Sequence, residues 1–174
     1  MVLKVFIFIF VILCLSSAYG QSSRCELPKS VSQTVARRWD GWNLLQVQDL
    51  RPDDQHLWRK KWNDACPSVV KGHFLASSKL SYAFSLINRK DNQQQVILAT
   101  PAGGGSFNFQ TLSKPTHVAG FAVLYRLQPG TYQEVEGGRT VRTKLDSIAD
   151  ETIEAAVVMF YEEQGSFHSM LLSE

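Results

Sequence analysis

Between Val69 and Leu98 the chain carries three apolar runs separated by polar turns, and this limits its possible folds more than any other feature. Val69-Val70-Lys71-Gly72-His73-Phe74-Leu75 is followed by Ala76-Ser77-Ser78-Lys79. Tyr82 to Ile87 follows, then the polar stretch Asn88 to Gln94, then Gln95-Val96-Ile97-Leu98. Runs this short, rich in β-branched and aromatic residues and bounded by turn formers, predict three antiparallel strands. Cys66-Pro67 stands at their front.

The N-terminus reads as an export signal. Lys4 supplies the positive n-region, Val5 to Leu15 the apolar h-region, and Ala18-Tyr19-Gly20 a small-residue cleavage site. A helix over that h-region would be only about 16 Å long, against about 30 Å of hydrocarbon. Residues 1–20 are therefore expected to leave, freeing 21–174 as one globular domain, periplasmic or secreted, with no stable membrane insertion. The whole chain carries a formal charge of +2, part of it from Lys4. So small an excess gives no reason to expect nucleic acid as a partner.

Removing the signal takes Cys14 with it and leaves Cys25 and Cys66. In an oxidising compartment the two allow one intramolecular pairing, so a disulfide is expected. No metal site is read from two cysteines so far apart without a flanking histidine pair, and no cofactor is expected.

Two short helices precede the strands. Val31, Val35 and Trp39 form one stripe at i, i+4, i+8, with Ser30 or Ser32 as cap and Gly41 past the end. Trp42 to Val47 alternates as a strand would. Pro52-Asp53-Asp54 then opens a second helix, the carboxylates facing its positive end, with Leu57, Trp58 and Trp62 as its apolar positions. After Leu98, the glycines of Pro101 to Gly105 are expected to break the sheet. Ser106 to Leu112 reads as an edge strand and His117 to Leu127 as a central one. Ala155 to Tyr161 and Ser166 to Leu172 form a hairpin about Glu162 to Gly165. Residues 150–161 admit a helix as the alternative.

Candidate chemistry is sparse. His73, between Gly72 and Phe74, and the set Asp54 and His56 are the candidate acid/base residues. His117 and His168 fall on predicted strands, and no two histidines have the spacing of a helical metal site. The Gly103-Gly104-Gly105 loop lacks the helix and lysine of a phosphate cradle, and there is no G-x-S-x-G. Trp42, Trp58 and Trp62 are the candidate partner-binding residues, should they stand at the surface.

Trp42, Asp49-Leu50, Leu57-Trp58, Cys66-Pro67, Gly72-x-Phe74 and Tyr82-Ala83 come in an order that resembles a group of small exported bacterial proteins. So do Pro129-Gly130-x-Tyr132, Glu154-Ala155-Ala156, Phe160-Tyr161 and Gly165-x-Phe167. Relatives often carry a glycine-aspartate-glycine turn before the Tyr-Ala strand. Here it is Ala76-Ser77-Ser78-Lys79, with no carboxylate to hold calcium. The resemblance implies an exported bacterial domain and names no activity.

The expected fold is α+β: a single antiparallel sheet of about six to eight strands, two N-terminal helices packed on it, and a Cys25–Cys66 staple. The expected function is an exported, non-enzymatic binding domain of the inhibitor or immunity type, acting on a protein or envelope component. A small hydrolase using a histidine and a carboxylate is the alternative, and a structural envelope protein the third. Oligomeric state and the exposed tryptophans are left open.

Overall fold

A computed structural model describes residues 25–63, 65–76, 79–135 and 138–172. The expected export signal and Ser77 and Ser78 of the turn before Tyr82-Ala83 lie outside the described residues. Helix α1 spans Lys29–Arg38 and α2 Pro52–Trp62, with a 3-10 turn at Val47–Asp49 between them. Strands β1 to β7 run Asn43–Leu44, Val69–Gly72, Ser81–Asn88, Gln93–Gly103, Ser106–Thr111, Thr116–His117 and Val123–Leu127. Strands β8 to β12 run Thr131–Gln133, Thr140–Arg142, Ser147–Thr152, Ala156–Glu163 and Ser166–Leu172.

The α+β class holds, but the single sheet does not. Among the described residues the strands make three antiparallel sheets. The first joins β1 and β2 to β3, then β4, then β5 and β6; the second has the order β12-β11-β10-β7; β8 and β9 form a separate hairpin. The reason lies in β3 and β4. Ala83, Phe84, Leu86, Ile87, Val96, Ile97, Leu98 and Ala99 are all fully buried, so both faces of the first sheet need cover. One face meets the second sheet, where Phe74, Ala83, Val96 and Leu98 pack with Leu124, Ile148 and Phe160. The other is roofed by α1 through Val31 and Val35. The outer face of the second sheet is itself closed by the β8–β9 hairpin, with Val141 against Met159, Tyr161 and Met170.

Polar joints fix the two sheets to each other. Gln94 of β4 donates to Ser85 Oγ and to the Ala122 carbonyl, both at 2.7 Å, and accepts the Ala122 N–H at 2.8 Å. The Leu124 N–H donates to the Pro67 carbonyl at 2.7 Å. These bonds satisfy buried groups that would otherwise cost about 1–3 kcal/mol each. They also explain a second departure. His117 to Leu127 is not one central strand: His117 ends the short β6 of the first sheet, and Val123–Leu127 closes one end of the second. The preceding Ala122 spends its backbone donor on Gln94 rather than on a ladder.

Other boundaries shift for local reasons. Trp42 to Val47 shortens to Asn43–Leu44 because Asp49 accepts the Gln46 N–H at 2.8 Å and folds the chain into the 3-10 turn. Neither Ser30 nor Ser32 caps α1: Pro28 stands at the N-cap, and Ser32 Oγ donates back to the Leu27 carbonyl. The glycines 103–105 do not break the sheet. All three have positive φ and make the tip of the β4–β5 hairpin. Residues 150–161 are strand and turn, not helix, and the β11–β12 hairpin forms as the sequence predicts.

The disulfide joins Cys25 to Cys66 with their Cα atoms 5.1 Å apart, tying the lead-in of α1 to the start of β2. Such bonds form and persist in oxidising compartments. Among the described residues no helix is long and apolar enough to cross a membrane.

Candidate functional site

Helix α2 positions the most distinctive surface of the molecule. Pro52 at its start and Asp53 and Asp54 in its first turn favour helix there, and Asn63 ends it in the left-handed conformation. Trp58 faces inward, 2% exposed, packed with Leu45, Leu50, Ile87, Val123 and Ile153. Its indole N–H donates to the Ala65 carbonyl at 2.8 Å, locking the end of α2 to the approach to Cys66.

One turn later Trp62 is only half-buried. Its ring stacks on Trp58 at 5.4 Å between centroids and meets Tyr125 of β7 at 5.1 Å. The Lys61 ammonium lies 5.5 Å from the Trp62 ring centre and 5.6 Å from that of Tyr125. Lys61 also pairs with Glu151 of β10 at 3.4 Å, ninety residues away in sequence. Leu57, Trp58, Lys61, Trp62, Glu151 and Ile153 together line a shallow, half-open surface groove with a volume of only about 20 Å³. It offers an aromatic wall, an apolar floor and a charged pair at the rim. So slight a recess falls far short of small-molecule sites, which run from about 300 to 1,000 Å³, and offers a partner a contact surface rather than a cavity.

Of the three tryptophans singled out from the sequence, Trp62 forms the half-buried wall of the groove, while Trp58 reaches only its floor. Trp58 is core, and Trp42 is half-buried against the cluster under α1. Tyr125, Lys61 and Glu151 were not legible as site residues. Tyr125 and Glu151 come together beside Trp62 because β7 and β10 are neighbours in the second sheet, and no local pattern signals that.

The expected acid/base residues do not converge. Asp54 is buried, but both its oxygens are held by Arg51, at 2.7 and 3.0 Å. His56 is exposed two residues further along α2. His73 is exposed and contributes its backbone, the N–H donating to Asp146 Oδ2 at 2.8 Å. His117 Nδ1 contacts the Asp91 carbonyl at 2.8 Å, and His168 lies beside the Tyr161 ring. Among the described residues no histidine ring is bonded to a carboxylate, and no group of three or more His, Cys, Asp or Glu gathers as a metal set would.

One carboxyl stands apart. Asp150 of β10 lies between Leu124 of β7 and Val158 of β11, its Oδ1 buried with no hydrogen-bond partner. Desolvation pushes its pKa up to about 7. It lies on the same face as Ile148, two residues before it in the core, and is half-buried, so that one oxygen is cut off from solvent.

No family model matches the chain, and neither a curated protein nor a solved structure matches it.

Proposed function

We propose that the protein is an exported, non-enzymatic binding domain, periplasmic or secreted. In this reading it grips a protein or envelope component through the Trp62 groove in the manner of an inhibitor or immunity factor. The observation that carries this reading is the half-buried Trp62–Tyr125 pair beside the Lys61–Glu151 bridge. Aromatic rings held rigid against a core lose little entropy on contact and are the usual anchors of interfaces. The disulfide supports export, and Asp54, spent on Arg51, argues against a hydrolytic pair with His56.

Pull-down from envelope extract with the oxidised domain tests it. A specific partner should be retained by the native chain and lost with Trp62→Ala, while the melting temperature of that variant stays within a few degrees. Retention by Trp62→Ala would remove the groove from the interface. Finding no partner, together with a hydrolytic activity abolished by His73→Ala, would overturn the reading in favour of an enzyme.

A further inference from the structure

Strand β5 closes the first sheet on one side, and its outer edge is open among the described residues. The ladder defines which of its groups are free. Leu112 N–H donates to the Val96 carbonyl at 2.8 Å, so these two form a bonded pair. Alternation along an antiparallel ladder then makes Leu98/Gln110 and Thr100/Asn108 bonded pairs, and Ile97/Thr111, Ala99/Phe109 and Pro101/Phe107 unbonded ones. Pro101, which has no N–H, is suited to an unbonded position. Phe107, Phe109 and Thr111 therefore direct their N–H and C=O groups away from β4, toward the open side.

Proteins ordinarily blunt such an edge with a charge, a proline or a bulge in the edge strand. Ser106–Thr111 has no charge and no proline, and the one irregularity of this pair lies on β4, between Pro101 and Gly103. Its aromatic side chains are built into one face. Phe109 packs on Trp39 at 5.8 Å and Phe107 on Tyr82 at 6.0 Å, each half-buried. Arg38 lies 4.8 Å over the outer part of this strip, on the Trp39 ring. Helix α1 ends in Arg37 and Arg38, so the face that carries Phe107 and Phe109 is also flanked by positive charge.

We propose that the open edge of β5 is a docking strand for an extended peptide of a partner protein, with two apolar residues at alternate positions and a carboxylate at the next position on that same face, toward Arg38. Main-chain bonds to Phe107, Phe109 and Thr111 supply affinity, the Phe107–Phe109–Trp39 face selects apolar side chains, and the flanking cations select carboxylates. A second copy of this chain fits less well. Pairing two six-residue strands covers a few hundred Å² a side, against about 800 Å² per partner in a standard interface, and brings both cationic rims together. This surface is separate from the Trp62 groove and does not depend on it.

The test uses the full oxidised chain and a capped extended peptide with phenylalanine at two alternate positions and aspartate at the next position on the same face, with two controls: lysine in place of aspartate, and N-methylation of alternate amides. Binding of the aspartate peptide should slow hydrogen exchange at the Phe107, Phe109 and Thr111 amides at least tenfold. Thr111→Pro removes an edge-facing N–H without touching a β4 bond, and should weaken binding at least tenfold with the melting temperature nearly unchanged. Equal binding by the N-methylated peptide would overturn the strand-pairing geometry, and equal binding by the lysine peptide the acidic preference. Protection of the same amides without peptide, rising with protein concentration, would assign the edge to a second copy instead.

Discussion

Asp146 Oδ2 accepts the backbone N–H of His73 at 2.8 Å, fastening the turn before β10 to the end of β2. Arg126 Nη1 lies 3.7 Å from the same oxygen. Gly72 leaves room for the contact, since a Cβ there would sit 2.6 Å from the Phe74 ring and 3.0 Å from Asp146 Oδ2. Asp146→Ala should therefore lower the unfolding free energy by about 1–3 kcal/mol, because it strands a backbone donor. Asp146→Asn, which keeps a carbonyl oxygen, should lose less. Gly72→Ala should cost about 1–3 kcal/mol through overpacking. Urea denaturation of the three variants checks all of this; a stable Gly72→Ala would mean that Phe74 has room to turn away.

The Asp150 carboxyl, with one oxygen cut off from solvent, makes stability depend on pH. Its folded pKa, about 7, lies above the ordinary 3.8, so the folded state holds its proton more tightly than the unfolded chain does. The stabilisation is complete below about pH 4 and is lost as pH rises toward and through 7. Its span is at most about 4 kcal/mol, at 1.36 kcal/mol per unit. Asp150→Asn should flatten this part of the profile and stabilise the protein at pH 8 relative to the native chain, with a much smaller difference at pH 4. Thermal melts of both proteins across that range are the measurement. An unchanged profile would place the Asp150 carboxyl in contact with water.

Cys25 and Cys66 are joined across 41 positions. On the chain-entropy account the double variant Cys25→Ala/Cys66→Ala should lose about 4 kcal/mol, less any native strain released. Thiol labelling of the exported native protein under denaturing conditions should find no free cysteine, and labelling after reduction should find two.

Trp58 and Trp62, stacked at 5.4 Å, should behave oppositely on truncation. Trp58→Ala empties a buried site and leaves the Ala65 carbonyl without its donor. Its expected cost is about 3–5 kcal/mol. Trp62→Ala should cost far less. His56→Ala, on the exposed side of α2, should stay within about 0.5 kcal/mol of the native chain. Denaturant midpoints distinguish these three outcomes directly.

Where signals were local, the sequence was enough. The apolar runs Tyr82 to Ile87 and Val96 to Leu98, separated by a polar turn, determined adjacent strands. The Pro52-Asp53-Asp54 start determined α2, the apolar β11 its place inside a sheet, and two remaining cysteines their pairing. Each is a property of neighbouring residues or of simple counting. What only the tertiary structure decided is which faces meet. The same buried strands are compatible with one sheet under helices or with two sheets face to face. The choice rests on Gln94 reaching Ala122 and Leu124 reaching Pro67, contacts between segments whose separation along the chain hides them. For the same reason Trp62 was visible as an aromatic residue but not as one wall of a groove. Tyr125 and Glu151 join it through the pairing of β7 with β10, and the energy that brings them there comes from burying apolar surface elsewhere in the fold.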